Sequence, residues 1–241
     1  MEDTLNQPGL KAAEILKSTP SWLVTIKPAG VSSETEGMGQ LLSRALSRPV
    51  DTIYPVHRLD REVSGVMVYA LNPETAAKLS AASAAHQLRK TYLALVQGLP
   101  ETGEGRWEDL LYHDQRRNKT YVVQRMRRGV KPARLNFRVL KTIPAAQAGN
   151  PEEKPLSLLE ITLETGRTHQ IRVQCASRSL PILGDRRYGG GKWSEMGLWS
   201  WKLSFSDPDT GETESFTAPW PRGLSSLIPE EAGFRNNPGE K

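Results

Sequence analysis

Two segments hold the side chains from which chemistry could be built. "VHRLDREVSG" (56–65) places His57 and Arg58 just ahead of Asp60, with a second acid, Glu62, two residues further on. "GRTHQIR" (166–172) supplies Arg167, His169 and Arg172. An arginine beside an aspartate favours the ionised acid, and an ionised aspartate in a dry pocket can act as a nucleophile or a base. The same residues also make a plain ion pair that ties two loops together, and spacing alone leaves both readings open. His57, His86, His113 and His169 are not spaced as in a zinc-binding helix or finger. "GDRRYGGG" (184–191) lacks the lysine–serine/threonine ending of a phosphate loop, so tight turns account for its glycines better. Ser64-Gly65 lacks the flanking pattern of a nucleophile elbow.

The elements that must position these groups are legible from apolar alternation and turn residues. Strands are expected at "WLVTIK" (22–27), "VMVYAL" (66–71), "RKTYLALVQG" (89–98), "KTYVVQ" (119–124) and "ARLNFRVLK" (133–141). Further strands fit "LSLLEITLET" (156–165), "LWSWKLSFSD" (198–207) and "ESFTAP" (214–219). In the first of these three, Leu159, Ile161 and Leu163 share a face. The clearest helix is "LNPETAAKLSAASAAHQL" (71–88), with Asn72 as cap, Pro73 at the first position and Glu74 complementing the dipole. Short helices are expected in "GQLLSRAL" (39–46), around "LKAAEILK" (10–17), and after a loop in "GRTHQIRVQCASRSL" (166–180) with Thr168 as cap. "IPAAQAGNPEEKP" (143–155) reads as a loop. Strands outnumber helices and connections are short, which predicts an α+β fold with a mixed, mainly antiparallel central sheet flanked by helices and loops.

At 241 residues the chain can bury a proper core, and no composition shift divides it. No apolar run could span a bilayer, and the N-terminus does not read as a signal peptide. The single cysteine, Cys175, excludes an intramolecular disulfide framework and a four-cysteine zinc site, and points to a reducing, cytoplasmic compartment. Net charge is +5, but its distribution says more. Arg116, Arg117, Lys119, Arg125, Arg127, Arg128, Lys131 and Arg134 fall in one stretch with no acid among them. Such a strip is either a solvated face or a surface for phosphates.

Five segments, in order, resemble the RluA-type family of RNA pseudouridine synthases: "KPAG" (27–30), "HRLDREVSG" (57–65), "RKTYLALVQG" (89–98), "LETGRTHQIRV" (163–173) and "PILGDRRYG" (181–189). The resemblance covers about residues 20–220. It implies a pseudouridine synthase fold and isomerisation of uridine to pseudouridine in ribosomal or transfer RNA, with no cofactor, metal or obligate protein partner. Asp60 then resembles the catalytic aspartate, Tyr92 the tyrosine that lies against the base, and Arg172 the cation paired with the aspartate. Arg58 resembles the arginine that fills the space left by a flipped nucleotide. Lys27, Leu59, Arg167 and His169 are expected to support the pocket. Arg116, Arg117, Lys119, Arg127, Arg128 and Lys131 gain a use as RNA-phosphate contacts. Glu62 becomes a surface acid, so a paired-carboxylate glycosidase is disfavoured. The expected layout is an arm at 1–20, a catalytic domain at 21–228 and a tail at 229–241, a catalytic-domain-only member. Three positions depart from the family pattern: Val63 replaces a threonine, Gln174 a histidine, and "VSSETEGMG" (31–39) an apolar–histidine continuation.

Overall fold

The computed structural model describes residues 13–149 and 154–219. Its elements are β1 (Glu14–Ser18), β2 (Trp22–Lys27), α1 (Gln40–Leu46), β3 (Tyr54–Pro55), β4 (Ser64–Ala70), α2 (Pro73–Ala84), β5 (Arg89–Gln97) and β6 (Glu104–Asp114). There follow β7 (Lys119–Val123), β8 (Val130–Ile143), α3 (Ala145–Ala148), β9 (Leu156–Leu163), α4 (Gln170–Ala176), β10 (Leu198–Ser206) and β11 (Thr213–Thr217). The strands form one sheet in the order β1-β2-β4-β10-β5-β9-β8-β6-β7, with β3 paired to β4 and β11 to β10. All the pairings are antiparallel except β10 with β4. The expected α+β fold with a mixed, mainly antiparallel sheet is the observed one.

The middle of the sheet is covered on both faces, which is why its strands read as apolar runs. Along β5, Tyr92, Ala94 and Val96 join a core with Leu23, Met67, Tyr69, Ile161 and Ile171, while Leu93 and Leu95 pack on the opposite face with Leu158, Trp199 and Trp201. A third cluster sets Trp22, Val66, Val68 and Phe205 against Leu79 of α2. Asn72 caps α2 as expected, its side chain accepting from the Thr75 N–H at 2.8 Å.

Gly65 makes the one parallel contact possible. Its φ is +122°, and a Cβ there would lie 2.1 Å from the Ser200 carbonyl oxygen. Register then runs Gly65–Ser200–Tyr92–Ile161 straight across β4, β10, β5 and β9. The glycine of "HRLDREVSG" therefore places the end of that segment level with Tyr92, one strand away across β10.

Four local readings need correction. The helix around "LKAAEILK" is not formed where the chain is described. Glu14–Ser18 is an edge strand in register with β2, because pairing with a free sheet edge outweighs a weak local helical pattern. Thr168 is not the cap of α4. His169 holds that position, and the Thr168 carbonyl instead accepts from Thr120 Oγ1 at 2.8 Å. The long strand β6 was not foreseen, because "EGRWEDLLYHD" mixes charges into both faces. It is set by its neighbours β7 and β8. The expected loop at 143–155 contains one helical turn, α3. The tail at 229–241 and most of the N-terminal arm lie outside the described residues.

Candidate active site

Asp60 sits in the loop between β3 and β4, and that loop is tied down by hidden polar contacts. Lys27 is wholly buried at the end of β2, and its ammonium donates to the carbonyls of Pro28, Val31 and Arg61 at 3.0, 2.7 and 3.0 Å. Arg61 returns a bond to the Gly30 carbonyl at 2.8 Å. Ser33 bonds to both the N–H and the carbonyl of Leu59, at 3.0 and 2.8 Å. "KPAG" and the residues after it thus cradle the aspartate loop. Burial pulls the Lys27 pKa down to about 8, against the pull of the Glu62 and Asp60 charges. Val63 is buried in the core, and its N–H closes a turn onto the Asp60 carbonyl at 3.0 Å, so the departure from threonine leaves an apolar contact.

The partner of Asp60 comes from α4. Arg172 is only 4% exposed; its Nη1 donates to Asp60 Oδ2 at 2.9 Å, across 112 residues of chain. Its Nε and Nη2 form a two-pronged bond to Asp185, at 2.7 and 2.9 Å. Burial opposes the arginine's charge, but the Asp185 and Asp60 carboxylates outweigh it and hold the pKa above the ordinary arginine value. Glu62 stands off at 3.9 Å, with its side chain 57% exposed. Asp60 Oδ1 has no hydrogen-bond partner among the described residues, so one oxygen is pinned and the other is open.

Asp185 is the residue that sequence reasoning missed. It lies in the glycine-rich "GDRRYGGG" loop, which is a set of tight turns, as expected. A Cβ at Gly190 would fall 1.7 Å from the Ile182 carbonyl oxygen, and Gly184 has φ +78°. The turns aim the N–H groups of Arg187 and Tyr188 at Asp185 Oδ1, at 3.1 and 3.2 Å. Tyr188 was also missed. Its ring takes the Arg172 guanidinium at 5.3 Å and the Lys119 ammonium at 5.4 Å. The available signal was the position of an acid and an aromatic residue in a loop that no phosphate motif explained.

The other predicted residues divide by place. Tyr92 is buried in mid-strand; burial raises its phenol pKa, and the Asp60 charge adds to the effect. His169 faces Asp60, with Nε2 3.7 Å from Oδ2. Leu59 is buried beneath the loop. His57 stays neutral, its pKa pulled down to about 3 by burial and then by the Lys90 charge. Arg58 points outward, its side chain 78% exposed and paired with Glu34 at 2.9 Å. Arg167 turns away from Asp60 and donates to the Pro132 carbonyl at 3.0 Å. Gln174, the other departure, is buried and donates to Asp109 on β6 at 2.7 Å, where Arg178 also binds at 2.9 Å.

The basic stretch follows the sheet edge formed by β7. Arg116, Arg117 and Lys119 lie at the end nearest Tyr188, while Arg125, Arg127 and Arg128 lie in the connection from β7 to β8 at the other end. Lys131 is exposed on β8. Arg134 is not a free cation, because the strand partner Glu108 binds it at 2.9 Å.

A family model described as RNA pseudouridylate synthase matches residues 21–177, which span the aspartate loop, Tyr92 and Arg172. The chain belongs to the RNA pseudouridylate synthase family. An uncharacterized RNA pseudouridine synthase of Bacillus subtilis is 32% identical over 224 residues, covering 89% of this chain and 70% of that protein. The ribosomal large subunit pseudouridine synthase D of Nitrosomonas europaea is 31% identical, covering 72% of this chain and 49% of that protein, about half its length. The RluA-type resemblance read from the five segments is therefore upheld. Members of this family are isomerases, and this chain is an enzyme of that class. The fold agrees: human RNA pseudouridylate synthase domain containing 1 superposes with a TM-score of 0.74 at 24% identity, covering 92% of this chain and 89% of that one.

Proposed function

We propose that this synthase isomerises particular uridines in ribosomal or transfer RNA, with Asp60 as the reacting carboxylate. The observation that carries the reading is the treatment of its two oxygens: Oδ2 is held by buried Arg172 and Oδ1 is left open. Oδ1 acts on the sugar, as a nucleophile at C1′ or as a base at C2′. The N1–C1′ bond breaks, with its electron pair going to the uracil. The uracil turns and C5 bonds to C1′, which displaces Asp60 from that carbon or, on the base route, is completed by return of the C2′ proton from Asp60. The C5 proton leaves to water and N1 takes up a proton, so the product is an isomer of the substrate.

A uridine stacked in a helix hides these atoms, so the nucleotide is flipped out, at an unstacking cost of a few kcal/mol. Arg58 is free on its outer side to fill the gap once it leaves Glu34. The Tyr92 ring supplies a surface for the base, worth about 1–3 kcal/mol. The cations along β7 bind the phosphates and contribute affinity that depends on salt more than on sequence. A reducing compartment suits the buried Cys175, whose thiol is pushed up to about 12 by burial, and the cytoplasm is the proposed setting.

RNA carrying tritium at C5 of uridine tests the reading. The expected result is tritium in water with the RNA chain intact. Release of free uracil would assign the chain to N-glycosidic hydrolysis instead. Comparing pseudouridine maps of RNA from cells with and without the protein identifies the target.

A further inference from the structure

We propose that Tyr188 and His169 form a positioning pair for Asp60: the tyrosine hydroxyl caps Nδ1 of the imidazole, which puts the ring proton on Nε2, facing Asp60 Oδ2 as a neutral donor. This rests on the reading of Asp60 as the reacting carboxylate.

The direction follows from counting protons. The Tyr188 oxygen accepts the Thr120 N–H at 2.8 Å. The hydroxyl's own proton has His169 Nδ1 within hydrogen-bond distance, at 3.0 Å, while the nearby Thr120 hydroxyl oxygen is already engaged by His113 Nδ1 at 3.1 Å. With Nδ1 accepting, the neutral ring carries its proton on Nε2, 3.7 Å from Asp60 Oδ2. Catalytic hydrogen bonds are often this long before substrate binds and shorten in the complex. Arg172 holds the same oxygen, so both donors converge on Oδ2 and leave Oδ1 to the substrate.

The chain is strained to make this arrangement. His169 has φ +55°, in the left-handed region that a side-chain-bearing residue seldom takes, and it opens α4 without a side-chain cap. Strain of this kind is kept where it places a functional group. Thr120 is itself fixed, since its Oγ1 donates to the Thr168 carbonyl and therefore accepts from His113 Nδ1 at 3.1 Å. The groups facing the imidazole are Asp60, Arg172 on α4, Arg187 and Tyr188 from the glycine-rich loop, and His113 on β6. Burial lowers the His169 pKa, Asp60 opposes that, and Arg172, Arg187 and His113 add to it, so the balance favours the neutral ring. A neutral donor orients the carboxylate without adding a second counter-charge to that of Arg172, which would blunt its reactivity.

The test is ¹⁵N NMR of the histidine rings between pH 5.5 and 8.5, with His169→Gln to assign the signal. His169 is expected to be neutral with its proton on Nε2, whereas His57, whose Nε2 accepts the Val68 N–H at 3.4 Å, carries its proton on Nδ1 as an internal contrast. In Tyr188→Phe the uncapped Nδ1 is expected to gain a proton at higher pH than in the parent. The ring that holds Arg172 and Lys119 is kept in this variant. The rate of tritium release should therefore fall about tenfold, the equivalent of one neutral hydrogen bond, with RNA affinity within twofold of the parent. A His169 proton on Nδ1, or identical titrations and rates in the two proteins, overturns the pair. Asp60→Asn separates this from the underlying reading. If that variant is dead while His169 carries its proton on Nδ1, the pair alone fails. If that variant still releases tritium, both fail.

Discussion

Asp185→Ala is the substitution whose effect can be worked out most fully. The side chain is fully buried and satisfies four donors: two N–H groups of Arg172, at 2.7 and 2.9 Å, and the N–H groups of Arg187 and Tyr188, at 3.1 and 3.2 Å. Truncation leaves the Arg172 guanidinium buried with Asp60 as its one close partner. Removing one member of a buried ion pair costs about 3–5 kcal/mol, because the remaining charge is uncompensated. That is a large share of a total stability of about 5–15 kcal/mol. With a urea slope of about 3 kcal/mol per molar, the unfolding midpoint should fall by about 1–2 M. The double variant Asp185→Ala/Arg172→Met removes the stranded cation and should regain at least about 1 kcal/mol over the single variant. Equilibrium urea unfolding followed by tryptophan fluorescence reads both. A loss below about 1 kcal/mol in the single variant, or a double variant less stable than the single, would refute the argument that Asp185 is the main counter-charge of Arg172.

Gly65→Ala should lower the melting temperature by about 6–12 °C, since the new methyl meets the Ser200 carbonyl oxygen and the parallel β4–β10 contact must open; calorimetry checks this. Arg127→Ala/Arg128→Ala should weaken RNA binding and reduce the slope of log affinity against log salt by about 1.4 if single-stranded RNA lies along β7, and an unchanged salt titration contradicts that placement. Lys27 has a folded-state pKa of about 8 against an unfolded value of 10.5. Between those values the unfolded chain binds more protons, so the parent should gain stability relative to Lys27→Met as pH rises from 8 to 10; urea unfolding at the two pH values tests the sign.

How much was legible in the sequence depended on whether the partner was near in the chain or distant. The strand that carries Tyr92 showed itself because burial on both faces leaves a continuous apolar run. The α2 cap showed itself because Asn72, Pro73 and Glu74 are contiguous. The edge strand β1 and the strand β6, paired on both sides next to the other edge, were harder to read. Glu14–Ser18 and β6 are held by backbone pairing with neighbours, which leaves little trace in side-chain alternation. Local charge counting placed Arg134 in the basic strip, because Glu108 approaches it only across the β6–β8 ladder. Within the site, Asp60 and Arg172 were read from family-like segments, but Asp185 and Tyr188 were masked by the glycines around them. Those glycines explain the turns so well that the acid and the ring they carry drew no separate reading.

The central claim is that the open oxygen of Asp60 performs the chemistry while buried Arg172 holds the other. Tritium release from C5-labelled uridine in RNA, measured for the parent and for Asp60→Asn alongside RNA affinity and thermal unfolding, tests it most directly. The account predicts that Asp60→Asn folds, binds RNA about as tightly as the parent, and releases no tritium above background. Sustained release by the folded Asp60→Asn protein would contradict it.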